Sequence, residues 1–410
     1  MLRPLPGRQL PKELRPRRVG RLAHALPAGL EDPGFEVLLR RIDTSPIHGG
    51  NQLEVYFQGD AAFAAMRDAG LAAEQEILVE SYILKDDATG RLFLEGVEEA
   101  ARRGVAVRVV ADALGSASTA SAFWREMEGS GAEVRLYHPL IEKIWYTPFR
   151  DHRKIVVVDR KVAFTGGMNI GEEYGSPAPK PGTLWRDTHL RVTGPAAWEM
   201  AVVFSEGWLD AGGEPFEIDP LPVDGETPGA RVLVLDSRYG RGQVEAASTL
   251  AAIVGAARRR VWITNAYFAP GRRAVSMLGA AARRGVDVRL LLPGQTDVPL
   301  ARHAGHGYYS DLLARGVRIF EYQPAILHAK TLVADDFVSV VGSSNLDFRS
   351  FVFNAECNLV ILDAETGARM ATAFEADLEQ SIEIRRADWK RRSLRHRLGD
   401  RVARWLSPLL

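Results

Sequence analysis

The chain has 410 residues, 46% hydrophobic and 25% charged, which is enough for two ordinary domains with their own cores and excludes the disordered and fibrous classes. Its 52 Lys and Arg balance 52 Asp and Glu, and this net charge of zero argues against a protein built mainly to hold nucleic acid, though local basic patches are averaged out. The single cysteine, Cys357, excludes an intramolecular disulfide and a Cys-rich metal cluster, and fits a reducing compartment.

Residues 1–47 are Pro-rich and basic, with Arg3, Arg8, Lys12, Arg15, Arg17, Arg18 and Arg21 against Glu13, and show neither a helical nor a strand period. They are expected to form an irregular arm that packs on the domains or lies on an anionic surface. No apolar signal core opens the chain, and no run approaches the ~18 apolar residues of a membrane span.

Residues 48–210 alternate short apolar strands with amphipathic helices, such as one around 119 to 130, and residues 230–384 do so again, with a helix around 301 to 314. The stretch from Ala100 through Gly104 into an apolar run returns from Ala281 through Gly285, each reading as helix end, Gly cap and buried strand. The strand before it, Glu76 to Tyr82, matches Arg260 to Tyr267, and the strand after it, from Gly131, matches the one from Gly316. Conserved order in both halves marks a duplication. The fold class expected is α/β: two duplicated domains, each a mixed sheet flanked by helices, packed as a pseudo-twofold pair with the active site at their interface. Residues 211–229, rich in Pro, Gly and acids, read as the linker.

The tightest repeat is His152-Arg-Lys154 with Asp159 against His328-Ala-Lys330 with Asp335, each followed by a Gly-rich turn ending in Asn169 or Asn345, at one common spacing. His and Lys two apart at a strand start point to one face and can grip one anion. The apolar residues that follow place the pair at the mouth of a buried strand, where a site is held accurately. The turns at Thr165 to Asn169 and Val341 to Asn345 bring backbone N–H groups and an amide back to that mouth. One copy alone is as readily a satisfied core histidine beside a solvated lysine. With only nine histidines in the chain, recurrence in register favours a functional pair.

These residues resemble the paired HxKxxxxD motif of the phospholipase D superfamily, over roughly residues 48 to 384. Gly342 to Phe351, Asn354-Ala-Glu356, Trp185-Arg-Asp-Thr-His189 and Gly166 to Gly171 resemble the cardiolipin synthase branch, in its shorter, peripheral form without an N-terminal transmembrane hairpin. The resemblance implies phospholipase D-like domains and a catalytic set of His152, Lys154, Asp159, His328, Lys330 and Asp335, with His152 the nucleophile and His328 the acid and base. Lys154, Lys330, Asn169, Asn345 and the Ser343 hydroxyl are expected on the phosphate oxygens; Gly167 stands where Ser343 stands in the second copy. A neutral histidine needs a partner on its other nitrogen, and Asp187 and Glu356 are the expected orienters. Asp159 and Asp335, at odd spacing from the lysines, leave the strand on its opposite face, which points to a mainly structural role despite their place in the motif.

The chain has no HExxH, cysteine cluster or dense carboxylate cage in these segments, so neither metal nor cofactor is expected at the catalytic centre. One histidine would attack phosphorus and the other protonate the leaving alkoxide, giving a phosphohistidine. Attack by water would make the enzyme a phospholipase D; attack by the hydroxyl of phosphatidylglycerol would give cardiolipin and glycerol. The motif does not separate these, and the branch resemblance favours transfer, which needs an apolar lining. Tyr308, Tyr309 and Trp185 are candidates for it, against the plain alternative of core aromatics. In the tail, 385–410, Leu394, Leu398, Val402 and Trp405 share a helical stripe among arginines. That pattern fits peripheral contact with the anionic inner face of the cell membrane in a cytoplasmic protein, or a helix docked on the protein's own surface. A nuclease of the same superfamily would want a basic, aromatic-lined groove, and a catalytically dead scaffold would not need both intact motifs.

Overall fold

Runs of β-branched and aliphatic residues bounded by Gly and charged turns become strands. In the first half these are β1 (Ile47–Tyr56), β2 (Glu76–Ser81), β3 (Ala106–Asp112), β4 (Glu133–Tyr137), β5 (Lys154–Val158), β6 (Val162–Gly166) and β7 (His189–Thr193). The second half repeats them as β8 (Ala230–Ser237), β9 (Arg260–Asn265), β10 (Asp287–Pro293), β11 (Arg318–Tyr322), β12 (Lys330–Ala334), β13 (Val338–Gly342) and β14 (Glu356–Leu362), and adds β15 (Ser381–Glu383). This computed structural model describes residues 10–139, 148–175, 184–221, 228–240 and 242–406.

All 15 strands join one sheet. The order β4-β3-β2-β5-β6-β7-β1 continues as β8-β14-β13-β12-β9-β10-β11, so it reads the same from either end when each strand is matched to its counterpart, with β15 on one edge. The seam is β1 against β8, antiparallel, with Ile47 opposite Leu233. Within each half the outer three strands run parallel and the rest antiparallel, a mixed sheet. The two halves are thus related by a pseudo-twofold axis at the seam.

Helices cover the sheet: α1 (Pro16–His24), α2 (Pro33–Ile42), α3 (Gly59–Leu71), α4 (Ala88–Arg102), α5 (Ser121–Gly129), α6 (Pro195–Asp210), α7 (Gln243–Ala256), α8 (Gly271–Arg283), α9 (Pro299–Leu313), α10 (Phe348–Val352), α11 (Ala364–Glu379), α12 (Arg386–Lys390) and α13 (Leu394–Leu406). One apolar core lies under α4 and α5, and another under α7 to α9. The third is shared: Met200, Phe204 and Trp208 of α6 and Met370 and Phe374 of α11 pack with strands from both halves. No helix among the described residues is long and apolar enough to cross a membrane.

The arm is not irregular. From Leu10 it holds two helices, each opened by a proline at its first position, and it packs on α7 of the second half. α1 turns only Val19 and Ala23 inward among arginines, whereas α2 buries Phe35, Leu38, Leu39 and Ile42 at helical spacing. The crossing with α7 is close: a Cβ added at Gly255 would lie 2.4 Å from the Gly20 carbonyl oxygen. Residues 1–9 of the arm, 222–227 of the linker and 407–410 of the tail lie outside the described residues.

The motif aspartates close the far end of each central strand. Asp159 and Asp335 adopt left-handed backbone, φ 49° and 51°, and each carboxylate accepts three consecutive backbone amides: Glu74 to Glu76 for Asp159 and Arg258 to Arg260 for Asp335, at 2.7 to 2.9 Å. Each clasps the turn entering the neighbouring strand, β2 or β9, away from the histidine end. Charge-assisted bonds to amides contribute about 1.5–3 kcal/mol each, and left-handed backbone disfavours alanine. Asp335→Ala is therefore expected to lose about 2–4 kcal/mol in urea unfolding while the folded fraction keeps its turnover; a catalytic role would instead appear as lost turnover at unchanged stability.

Candidate active site

The strands deliver the two histidines to the axis. His152 and His328 stand two residues before β5 and β12, on extended segments that cross to the other half. Asp151 bridges Ala355, and Leu327 bridges Arg186, both in parallel fashion. The His152 amide donates to the Ala355 carbonyl at 2.9 Å, and the His328 amide to the Arg186 carbonyl at 2.8 Å. The residue after each of those bridging partners is an acid, so the orienters are exchanged. His152 Nδ1 meets Glu356 Oε2 at 3.0 Å, and His328 Nδ1 meets Asp187 Oδ2 at 2.7 Å. Both carboxylates are fully buried.

An ionised carboxylate accepts, so each Nδ1 carries the proton and each Nε2 presents a lone pair. Lys154 donates Nζ to its own His152 carbonyl at 2.7 Å. Lys330 donates to the His328 carbonyl, and its Nζ lies against the His328 ring, 2.7 Å from Nδ1 and 3.0 Å from Nε2. Burial, reinforced by these ammonium groups, pushes His152 down to about 4 and His328 down to about 3. Burial, reinforced by the like charge of Lys330, likewise lowers Lys154 to about 7, and burial lowers Lys330 to about 8. Burial would raise Glu356, but His152, the Ser343 hydroxyl and Lys154 hold it at about 2. Asp187 is also lowered, because Lys330 and His328 outweigh its burial. The centre buries two imidazoles and two lysine side chains whose charge burial disfavours, and an incoming anion would relieve that cost.

Further residues hold this frame. Glu356 Oε1 accepts from Ser350 at 2.7 Å and Asn354 at 3.3 Å, while Oε2 accepts from Ser343 at 2.5 Å. Ser343 also accepts from the Cys357 amide and is fully buried, so its hydroxyl serves the carboxylate instead of facing a phosphate as the sequence suggested. The glycine in the first copy follows from the same geometry: a Cβ at Gly167 would lie 2.1 Å from Asp187 Oδ1. Asn169 and Asn345 each accept a backbone amide at their Oδ1, from Ile83 at 3.3 Å and Tyr267 at 3.4 Å. Asn169 also donates to the Tyr174 hydroxyl at 2.8 Å, which stands 3.3 Å from His328 Nδ1.

Aromatic rings wall the centre. Tyr82 lies 4.9 Å from His152, and Trp185, Tyr174 and Tyr267 lie 5.2, 5.5 and 5.9 Å from His328, between ring centroids. Of the lining aromatics expected, the structure places only Trp185 here. Tyr308 lies under Arg404 and Tyr309 packs on Trp389, beneath the tail, because the buried face of α9 points to α12 and α13. Tyr174 and Ser350 were missed; each lies close in sequence to a motif asparagine, Tyr174 on a turn and Ser350 in the 5-residue α10, both too short to carry a period.

If Ser343 acts through Glu356, Ser343→Ala should lower kcat about tenfold, the equivalent of one hydrogen bond to a charged group, with KM nearly unchanged. Steady-state kinetics on a phosphodiester substrate read the split; a rise in KM alone would return the hydroxyl to phosphate binding.

The sequence relatives agree with this architecture. A family model described as "Cardiolipin synthase, PLD-like domain" matches residues 71–174 and 250–378, one segment in each half. Cardiolipin synthase 1 of Bacillus anthracis is 31% identical over 420 residues, spanning 98% of this chain and 81% of the relative. Cardiolipin synthase A of Pseudomonas aeruginosa (strain LESB58) is 36% identical over 384 residues, 92% of this chain and 77% of the relative. Among solved structures, the phosphatidylserine synthase of Haemophilus influenzae Rd KW20 superposes with a TM-score of 0.70 at 13% identity, covering 92% of this chain and 98% of that one, which shows a common fold. Two matched halves, full-length relatives and a paired His-Lys centre on one pseudo-dyad converge: the chain belongs to the cardiolipin synthase family of phospholipase D-like phosphatidyltransferases.

Proposed function

We propose that the enzyme transfers a phosphatidyl group from one phosphatidylglycerol to another, releasing glycerol and forming cardiolipin through a phosphohistidine. The observation that carries the mechanism is the pair of histidines, each fixed at Nδ1 by a buried carboxylate of the opposite half. Lys154, Lys330 and the Asn345 amide take the phosphate oxygens, and their charge offsets the repulsion an anion presents to a nucleophile. His152 is assigned as the nucleophile: its Nε2 makes no hydrogen bond among the described residues, whereas Lys330 Nζ crowds both nitrogens of the His328 ring, at 2.7 and 3.0 Å. The substrate anion neutralises the ammonium charges that depress His328, which then takes up the proton it passes to the departing glycerol oxygen. The P–O bond to glycerol breaks as the P–N bond to His152 forms. His328 next removes the proton from the hydroxyl of a second phosphatidylglycerol, whose oxygen displaces His152 from phosphorus.

Access to lipid is assigned to the C-terminal helix. α13 docks through Asp400, Ala403 and Arg404, while Leu398, Val402 and Trp405 are 63%, 50% and 79% exposed. The side chain of Leu394 lies outside those described. Exposed Arg401 beside the stripe suits an anionic leaflet, with the Trp and Leu face at the acyl boundary.

Incubation with phosphatidylglycerol vesicles, followed by mass spectrometry, should give cardiolipin and free glycerol in equal amounts, and His152→Ala should lose about a thousandfold or more in kcat. Phosphatidic acid as the sole product would overturn transfer. In detergent micelles, kcat/KM should fall as pH rises through about 7 to 8, where Lys154 and Lys330 lose charge, and hold on the acid side until about 4, where His152 protonates. An acid limb at the ordinary histidine value near 6.5 would sink this picture of a dry, lysine-flanked centre.

A further inference from the structure

Outside the catalytic centre, one cluster of ligand-type side chains stands between the second half and its C-terminal helix. His303 and His306, three apart on α9, present their rings on one face, and Asp400 of α13 meets them. His303 Nδ1 lies 3.0 Å and His306 Nδ1 3.8 Å from Asp400 Oδ1, and one ligand atom from each residue falls within 4.8 Å of the other two. We propose that these three residues bind a divalent transition-metal ion, of which Zn2+ is the best fit, and that the ion pins α13 to α9.

Three features support the assignment. First, His306 is already oriented as a ligand. Its Nε2 lies 3.1 Å from Oε1 of Glu321 on β11, a carboxylate oxygen placed to accept its proton. Nε2 therefore donates, and the Nδ1 lone pair faces Asp400, giving the carboxylate–histidine–metal arrangement in which the outer partner fixes the tautomer. Second, His306 Nδ1 and Asp400 Oδ1 lie 3.8 Å apart, too far for a hydrogen bond to join them and near enough for one cation to be held by both. Third, Asp400 is 3% exposed and its other oxygen is held by Arg392 at 2.6 Å, so Oδ1 is fixed toward the histidines. Two imidazoles and one carboxylate suit Zn2+, whose bonds of about 2.0–2.1 Å put tetrahedral ligands about 3.3 Å apart, between the 3.0 and 3.8 Å at which Asp400 Oδ1 stands from the two rings. His303 is half exposed, which leaves a fourth position to water.

The test uses the full chain without a polyhistidine tag, stripped by chelator and titrated with Zn2+ against a chromophoric competitor. Wild type should take up one tight equivalent more than His303→Ala or Asp400→Asn. Glu321→Gln should weaken that equivalent about 10–100-fold. Zn2+ should also slow tryptic cleavage at exposed Arg401 in wild type and not in His303→Ala. His303→Ala guards against misfolding, since the Arg404 bond to the Gly307 carbonyl at 2.7 Å still docks the helix. Equal Zn2+ uptake by wild type and both ligand variants would overturn the site, as would an equivalent that disappears in the His152→Ala, His328→Ala double variant.

Discussion

Everything at the catalytic centre depends on the exchange of carboxylates across the pseudo-dyad. A histidine whose Nδ1 is held by Glu356 or Asp187 has one tautomer and one ring orientation, and neither half holds its own histidine in this way. The exchange is dictated by backbone pairing. Because the segment entering β5 bridges the one entering β14, and the segment entering β12 bridges the one preceding β7, the acid next in line falls beside the other half's imidazole. Position is thus set by main-chain bonds in a buried region, which deform less than side-chain contacts on a surface.

Two arginines hold the halves at the required separation. Arg153, 1% exposed, reaches Glu80 on β2 at 3.1 Å and Asp236 on β8 at 2.5 Å, tying the catalytic strand of one half to the sheet of the other. Arg186 binds Asp377 of α11 through two bonds, at 3.1 and 2.7 Å. Removing one partner of such a buried pair leaves an uncompensated charge, so these contacts act on register more than on net stability. Gly207 on α6 makes room for the first: a Cβ there would lie 2.2 Å from Glu80 Oε1.

The duplicated α/β order and the His-Lys pairs were legible because they are strong periodic or repeated signals: an apolar strand after each Lys, a Gly cap after each amphipathic helix. Strand alternation pointed Asp159 and Asp335 to the face opposite the lysines, but not to the backbone amides that each clasps. What the linear pattern could not carry was partnership across the seam. Nothing in the spacing of Asp187 or Glu356 says which imidazole each will meet, and Ser343 looks like a phosphate ligand until Glu356 is seen beside it. The arm was misread although its second helix carried a signal, with Phe35, Leu38, Leu39 and Ile42 at helical spacing and all buried; only the arginine-rich α1, which buries Val19 and Ala23, offers few apolar residues to read. Tyr308 and Tyr309 misled for the opposite reason: aromatic pairs on an amphipathic helix are the ordinary material of a core.

The seam between β1 and β8 also bears on how two identical roles became different ones. A single half would present β1 as an open edge, and two copies pairing there would form a homodimer in which every position occurs twice. In such an assembly a substitution that improves a nucleophile alters the proton donor as well. Covalent fusion removes that constraint, and the chain has used the freedom: Gly167 against Ser343, Arg153 against Ala329, Asp187 against Glu356. A symmetric frame with two unlike copies of the motif lets the surroundings of one imidazole change while those of its twin stay as they are, which a strictly twofold pair does not allow.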